Sequence, residues 1–155
     1  TLPLLRGYDL VLAGNNTTRY ANELLALAKE LGVQNRVHTP GKIEDVAKHY
    51  YLQHCEAFVF PSLKEGFGIP PIEAMRFGKP IFISNNTSLP EIGGEHSFYW
   101  DHYSPEYMVQ VLVEGLLKFR SEEAFYTQWY ITRAKSFDWN ETAKQYIDVY
   151  QSILS

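Results

Sequence analysis

The sequence predicts an α/β fold, a mostly parallel sheet with helices on both faces and a helical tail at the C-terminal end. Three observations carry this. Short apolar runs closed by glycine, proline or serine, "YDLVLAG", "AFVF" and "PIFIS", have the length and composition of buried strands. Stretches of helical period lie between them, and strands alternating with helices favour parallel pairing with both faces covered. After "SFYW" the pattern is helical to the end. No internal repeat and no linker interrupts it, so residues 1–155 read as one domain.

The elements follow in order. "YDLVLAG", Tyr8 to Gly14, is an apolar run closed by glycine. "RYANELLALAKELG" places Leu24, Leu25, Ala28 and Leu31 at helical spacing and stops at Gly32. "RVHTPG" is a short strand, "IEDVAKHYYLQH" a helix, "AFVF" a strand, "PIEAMRFG" a helix stopped by glycine, and "PIFIS" another strand. The tail comprises "SPEYMVQVLVEGLLKF", "SEEAFYTQWYITRAKSF" and "NETAKQYIDVYQSIL".

Composition narrows the function. With 155 residues, 45% apolar and 15% aromatic, the chain can bury a sizeable core and should fold. A net charge of −4 argues against nonspecific nucleic-acid binding, so no nucleic-acid partner is expected. Cys55 is the single cysteine, which excludes an internal disulfide and favours a reducing compartment. No apolar run approaches the ~20 residues of a membrane span, and the start "TLPLLRGYD" lacks the long apolar core of an export signal. The expectation is a soluble, cytoplasmic protein. The Asn-x-Ser/Thr regions at Asn15, Asn85 and Asn140 then read as turns and helix caps rather than glycosylation sites.

In open α/β sheets ligands bind beyond the carboxyl ends of the strands, which directs attention to "FVFPSLKEGFGIPPIEAM", Phe58 to Met75. Gly66 and Gly68 let the backbone turn with exposed N–H groups. Pro70-Pro71 then open a helix whose N-terminus favours an anion such as phosphate. Glu65 sits on the loop, and Glu73 falls near the third helical position if Pro71 is the first. Carboxylates accept well from sugar hydroxyls, so the pair could hold a polyol on each side of a phosphate group. Glu73 is equally a first-turn acid favoured by the helix dipole, and Glu65 a solvated loop acid; spacing alone leaves both readings open.

The run "FVFPSLKEGFGIPPIEAMRFGKPIFIS" resembles the donor-binding segment of the retaining GT-B glycosyltransferases of the group 1 family, also termed family 4, whose signature is two glutamates separated by seven residues. "DLVLAG", "GKIEDVAKHYYLQHCEAFVFPS", "SLPEIGG" and "FDWNETAKQYIDVY" resemble the same C-terminal domain in the same order, so the likeness spans nearly the whole chain. It implies a Rossmann-like half of a GT-B fold and transfer of a sugar from a nucleoside-diphosphate sugar to an acceptor hydroxyl. Glu65 matches the first signature glutamate, the candidate catalytic residue, which contacts hydroxyls of the transferred sugar. Backbone groups of Gly66, Phe67, Gly68 and Ile69 approach the sugar and diphosphate. Glu73 matches the second glutamate, which binds the ribose. "PGKI" resembles the loop lining the base, which makes Lys42 and Ile43 substrate-binding candidates. Lys64 could reach a phosphate, though a solvated surface lysine is the commoner case.

The resemblance implies no cofactor and no metal. His49, His54 and Cys55, or His96, Asp101 and His102, lack a ligand spacing. In the family an Arg and a Lys that neutralise the diphosphate follow the domain's first strand, and this chain reads as starting after that strand, in the end of the next helix. The acceptor-binding N-terminal domain, through which a glycan or lipid-linked glycan would bind at the inner face of the membrane, is likewise expected outside it. The isolated chain is therefore expected to show no transfer, and "YDLVLAG" to pair with "AFVF" or with a strand of a second molecule. The face of the last helix carrying Tyr146, Ile147, Tyr150 and Ile153 should be exposed or should form a homodimer contact. A GT-B nucleotide-sugar epimerase and a noncatalytic nucleotide-sugar-binding module are the alternatives. A nicotinamide-dependent dehydrogenase is disfavoured, because "LAGNNTTRY" has no G-x-G-x-x-G.

Overall fold

The computed structural model describes residues 7–154, so "TLPLLR", with the expected helix end and most of the stretch read for an export signal, lies outside it. The chain packs as two compact units, Thr1–Tyr51 and Leu52–Ser155.

In the first unit β1 (Leu10–Ala13) and β2 (Val37–Gly41) form a parallel pair, with Leu10 opposite Val37 and Val11 opposite His38. The connection contains α1 (Arg19–Glu30) and a 3-10 turn at Gln34–Arg36. Thr18 caps α1 by accepting the Ala21 N–H at 3.1 Å, and the chain leaves the helix through Gly32 at φ 68. Asn15 Oδ1 accepts from the N–H and hydroxyl of Thr17, so this asparagine does make a turn. The strand β1 is less buried than its composition predicts: Leu10 and Val11 remain 41% and 37% exposed. Among the described residues of its unit the buried hydrophobic ones are Ala21 and Ala28, and so little bulk cannot cover both faces of a two-stranded sheet.

The second unit follows α2 (Asp45–His54), whose last turn buries Leu52 in it. Its sheet has the order β3-β4-β5, from Phe58–Phe60, Ile81–Ser84 and Phe98–Trp100, with both ladders parallel. The central strand β4 is wholly buried. Side chains alternate across it. Ile81 and Ile83 pack with α3 (Ile69–Arg76), α4 (Leu89–Gly93) and α6 (Glu123–Lys135), through Ile72, Met75, Leu89, Ile92 and Tyr130. Phe82 stacks on Phe98 at 4.8 Å and meets α5 (Pro105–Ser121) where Gly115 leaves room; a Cβ there would lie 2.5 Å from the Phe82 ring. The sheet is thus covered on both faces, and α7 (Trp139–Leu154) completes the helical tail.

Two segments left unassigned by the sequence take regular structure: "SFYW" holds strand β5, and "SLPEIGG" holds the short helix α4. Asp138 rather than Asn140 caps α7, accepting the Asn140 N–H at 2.7 Å. Among the described residues β1 takes β2 as partner and β3 takes β4, while the other expected partner of β1, a strand of a second molecule, lies outside a single chain. The tail expectation holds in part, because Tyr146, Ile147, Tyr150 and Ile153 are all more than half exposed and α7 buries no residue.

Candidate functional site

The loop 61–68 leaves the carboxyl end of β3 and runs beside the loop 85–88 after β4. Gly68 takes φ 109 and ψ 50, and a Cβ on it would lie 3.0 Å from Leu89 Cδ2. Conformation and space both require glycine here. This turn starts α3 at Ile69, two residues earlier than the proline pair predicts. The prolines occupy positions where an N–H would be an orphan in any case. Glu73 therefore lies at the fifth helical position rather than the third, half-buried and outside the first turn, and the reading of it as a first-turn dipole acid falls away.

Glu65 is held from two sides. Ser62 Oγ donates to its Oε1 at 2.8 Å, and its own N–H donates to Thr87 Oγ1 at 3.2 Å. Ser88 Oγ donates to the Phe67 carbonyl at 2.8 Å and lies 3.3 Å from the Glu65 carbonyl. The N–H groups of Gly66, Phe67, Gly68 and Ile69 have no acceptor among the described residues. Pro70 and Pro71 carry none, so the donors at this helix start come chiefly from the loop. Phe67 is 47% exposed and meets Phe137 edge-on at 6.1 Å, while the Arg133 guanidinium lies 5.0 Å from the Phe137 ring. Arg133 also donates from Nε to the Ile92 carbonyl at 3.2 Å. Lys64 is exposed, as expected for a surface lysine.

At the ends of β4 and β5, Asn85 Nδ2 donates to Asp101 Oδ1 at 2.7 Å and the Tyr107 hydroxyl donates to Oδ2 at 3.1 Å. These two bonds, the Asn85 bond foremost, hold the Asp101 carboxyl below the usual carboxylate range. Two clefts of this unit lie elsewhere. One of about 230 Å³ adjoins Cys55, Lys79 and Glu123, the other of about 390 Å³ adjoins Trp129 and Arg133. Neither is lined by Glu65 or Glu73.

Lys42 and Ile43 belong to the first unit, on the turn after β2, with Lys42 exposed and Ile43 half-buried. Gly41 precedes them at φ 83, and Asn16 Nδ2, from the loop after β1, donates to the Thr39 carbonyl at 3.0 Å. Sequence reasoning did not single out Ser62, Thr87, Ser88 or Asn16. Their only signal is position, a hydroxyl or amide in the loop just beyond a strand. Among the described residues no group of three or more His, Cys, Asp or Glu side chains could hold a metal ion, and no helix is long and apolar enough to cross a membrane.

A parallel α/β core with a glycine-rich loop beyond one of its strands puts that loop where open α/β sheets bind ligands. Residues 3–135 match the sequence profile of the family "Glycosyl transferases group 1", and the chain belongs to that family. It is 33% identical over 155 residues to the serotype-specific mannosyltransferase WbdA of Escherichia coli, with 97% of this chain and 18% of that protein covered. It is 30% identical over 145 residues to the O-antigen chain mannosyltransferase B of Escherichia coli, with 93% and 37% covered. Anabaena Alr3699/HepE, solved in complex with UDP-glucose, superposes with a TM-score of 0.76 at 22% identity, over 93% of this chain and 41% of that one. The chain thus spans well under half of each of these proteins.

Proposed function

We propose that this chain is the C-terminal, donor-binding domain of a retaining glycosyltransferase that moves a hexose from a nucleoside-diphosphate sugar to a hydroxyl of a glycan or lipid-linked glycan. The observation that carries this is the loop 61–68, where amides without acceptors lie beside Glu65 and ahead of the helix that carries Glu73. Family membership and the mannosyltransferase names of two relatives support it, and the Alr3699/HepE complex supports the donor class. Glu65 would accept from hydroxyls of the transferred sugar, with Ser62 setting its carboxylate; Glu73 would accept from the ribose. The amides of Gly66, Phe67, Gly68 and Ile69, with the dipole of α3, would stabilise the charge that develops on the departing diphosphate, and Lys42 and Ile43 would line the base. Such a donor places the enzyme in the cytoplasm, with acceptor binding supplied by a further domain at the inner face of the membrane.

Titration calorimetry with a panel of nucleoside diphosphates and their hexose conjugates tests the assignment. Glu73→Ala should weaken every nucleoside diphosphate by about 1.5–3 kcal/mol, the size of a hydrogen bond to a charged group. Glu65→Ala should spare the bare diphosphate and erase the preference for its sugar conjugate. Unchanged affinity in a folded Glu73→Ala protein would remove the ribose role, and a surviving sugar preference in Glu65→Ala would remove the sugar role. A noncatalytic binding module would bind the donor as well, yet support no transfer within the full-length protein.

A further inference from the structure

Ser88 is the first residue past the left-handed Thr87, and its hydroxyl crosses from the loop after β4 to the backbone of the loop after β3. Its single hydrogen is directed at the Phe67 carbonyl at 2.8 Å and shared with the Glu65 carbonyl at 3.3 Å. No peptide bond in the described residues is cis. In a trans peptide the C=O and the following N–H point in opposite directions. With the carbonyls of Glu65 and Phe67 turned toward Ser88, the N–H groups of Gly66 and Gly68 are turned away from it, off the side that Ser88 occupies. Neither finds an acceptor among the described residues. Loop amides held open toward one side in this way can receive phosphate oxygens.

The neighbouring residue strengthens the reading. Thr87 sits at φ 52, a region that a β-branched residue seldom occupies, and from there its hydroxyl accepts the Glu65 N–H. Backbone strain of this kind persists only where surrounding contacts impose it. Thr87 thereby takes the Glu65 amide out of the set of open donors, which leaves those of Gly66 and Gly68 as the oriented pair. We infer that Ser88 is a positioning residue for the diphosphate of the donor, its hydroxyl setting the amides of Gly66 and Gly68 toward the phosphate oxygens. The inference rests on the donor reading above.

Titration of wild-type, Ser88→Ala and Ser88→Thr chains with a nucleoside diphosphate and with the nucleoside of the same base tests it. Ser88→Ala should bind the diphosphate about tenfold more weakly, as expected for one lost hydrogen bond, with nucleoside affinity unchanged. Ser88→Thr, which keeps the hydroxyl, should behave as wild type. In parallel, inorganic pyrophosphate should shift the amide resonances of Gly66 and Gly68 in the wild-type chain, a measurement that stands even if Ser88→Ala does not fold. Equal diphosphate affinity in a folded Ser88→Ala protein, equal losses for nucleoside and diphosphate, or unmoved Gly66 and Gly68 resonances would overturn the role of Ser88 while leaving donor binding intact. A wild-type chain that binds no nucleoside diphosphate would overturn the donor reading and the Ser88 role together.

Discussion

Asp101 shows how uncharged neighbours govern a carboxylate. Its oxygens accept from Asn85 at 2.7 Å and Tyr107 at 3.1 Å, and these bonds depress its pKa. A depressed folded pKa means that the interaction stabilises the fold above the unfolded value of about 3.9, and that this stability is lost as pH falls through the folded value. Both principal donors are neutral, so the depression should persist in high salt, where an ion pair would be screened. Asn85→Ala should raise the Asp101 pKa toward the ordinary value in a carboxyl-detected NMR titration. A curve that does not move on substitution would show that Asn85 is not the cause. Asp9 offers the contrast, since its carboxyl is depressed chiefly by His38 at 2.9 Å, with Arg36 contributing at 3.5 Å.

Helix α7 is amphipathic without a partner surface among the described residues. Trp139, Tyr146, Ile147, Val149, Tyr150, Ile153 and Leu154 are all more than half exposed, while its exit from α6 is fixed by the Asp138 cap. An apolar stripe of this extent gains free energy by burial, about 25 cal/mol for each Å² removed from water. The chain should therefore self-associate at high concentration, and Ile147→Glu with Tyr150→Glu should abolish that association. Because α7 buries no residue, the same substitutions should move the thermal midpoint by no more than a few degrees. Sedimentation showing only monomers for the wild-type chain at high concentration would contradict the first expectation, and a large loss of midpoint in the variant the second.

The molecule divides its stability unevenly. The second unit buries Phe82, Met75, Ile81, Ile83, Leu89 and Tyr130 completely, whereas among the described residues of the first the buried hydrophobic ones are Ala21 and Ala28. Local opening follows buried apolar contact, so amide hydrogen exchange should be slowest in β4 and distinctly faster in the β1–β2 ladder. Denaturant unfolding followed by segment-resolved probes should give two transitions rather than one. Coincident transitions, with equal protection of Val11 and Ile83, would show a single cooperative body instead.

Much of this architecture follows from local pattern. The apolar runs at Leu10–Ala13, Phe58–Phe60 and Ile81–Ser84 form strands, and the helical periods between and after them form helices, because a side-chain period of two or of 3.6 decides which face can be buried. Glu65, Gly66, Gly68 and Glu73 were legible as a candidate site because glycine and proline punctuation marks a loop beyond a strand. Position along α3 was not, since a left-handed Gly68 advances the helix start and moves Glu73 out of the first turn. The contrast between a buried β4 and an exposed β1 was hidden as well, for both runs are apolar and only the bulk of the side chains lying across them separates the two. Least legible were Thr87 and Ser88. Their hydrogen bonds to Glu65 and Phe67 join residues more than twenty positions apart, and neighbours at that separation exist only once two parallel strands bring their loops side by side.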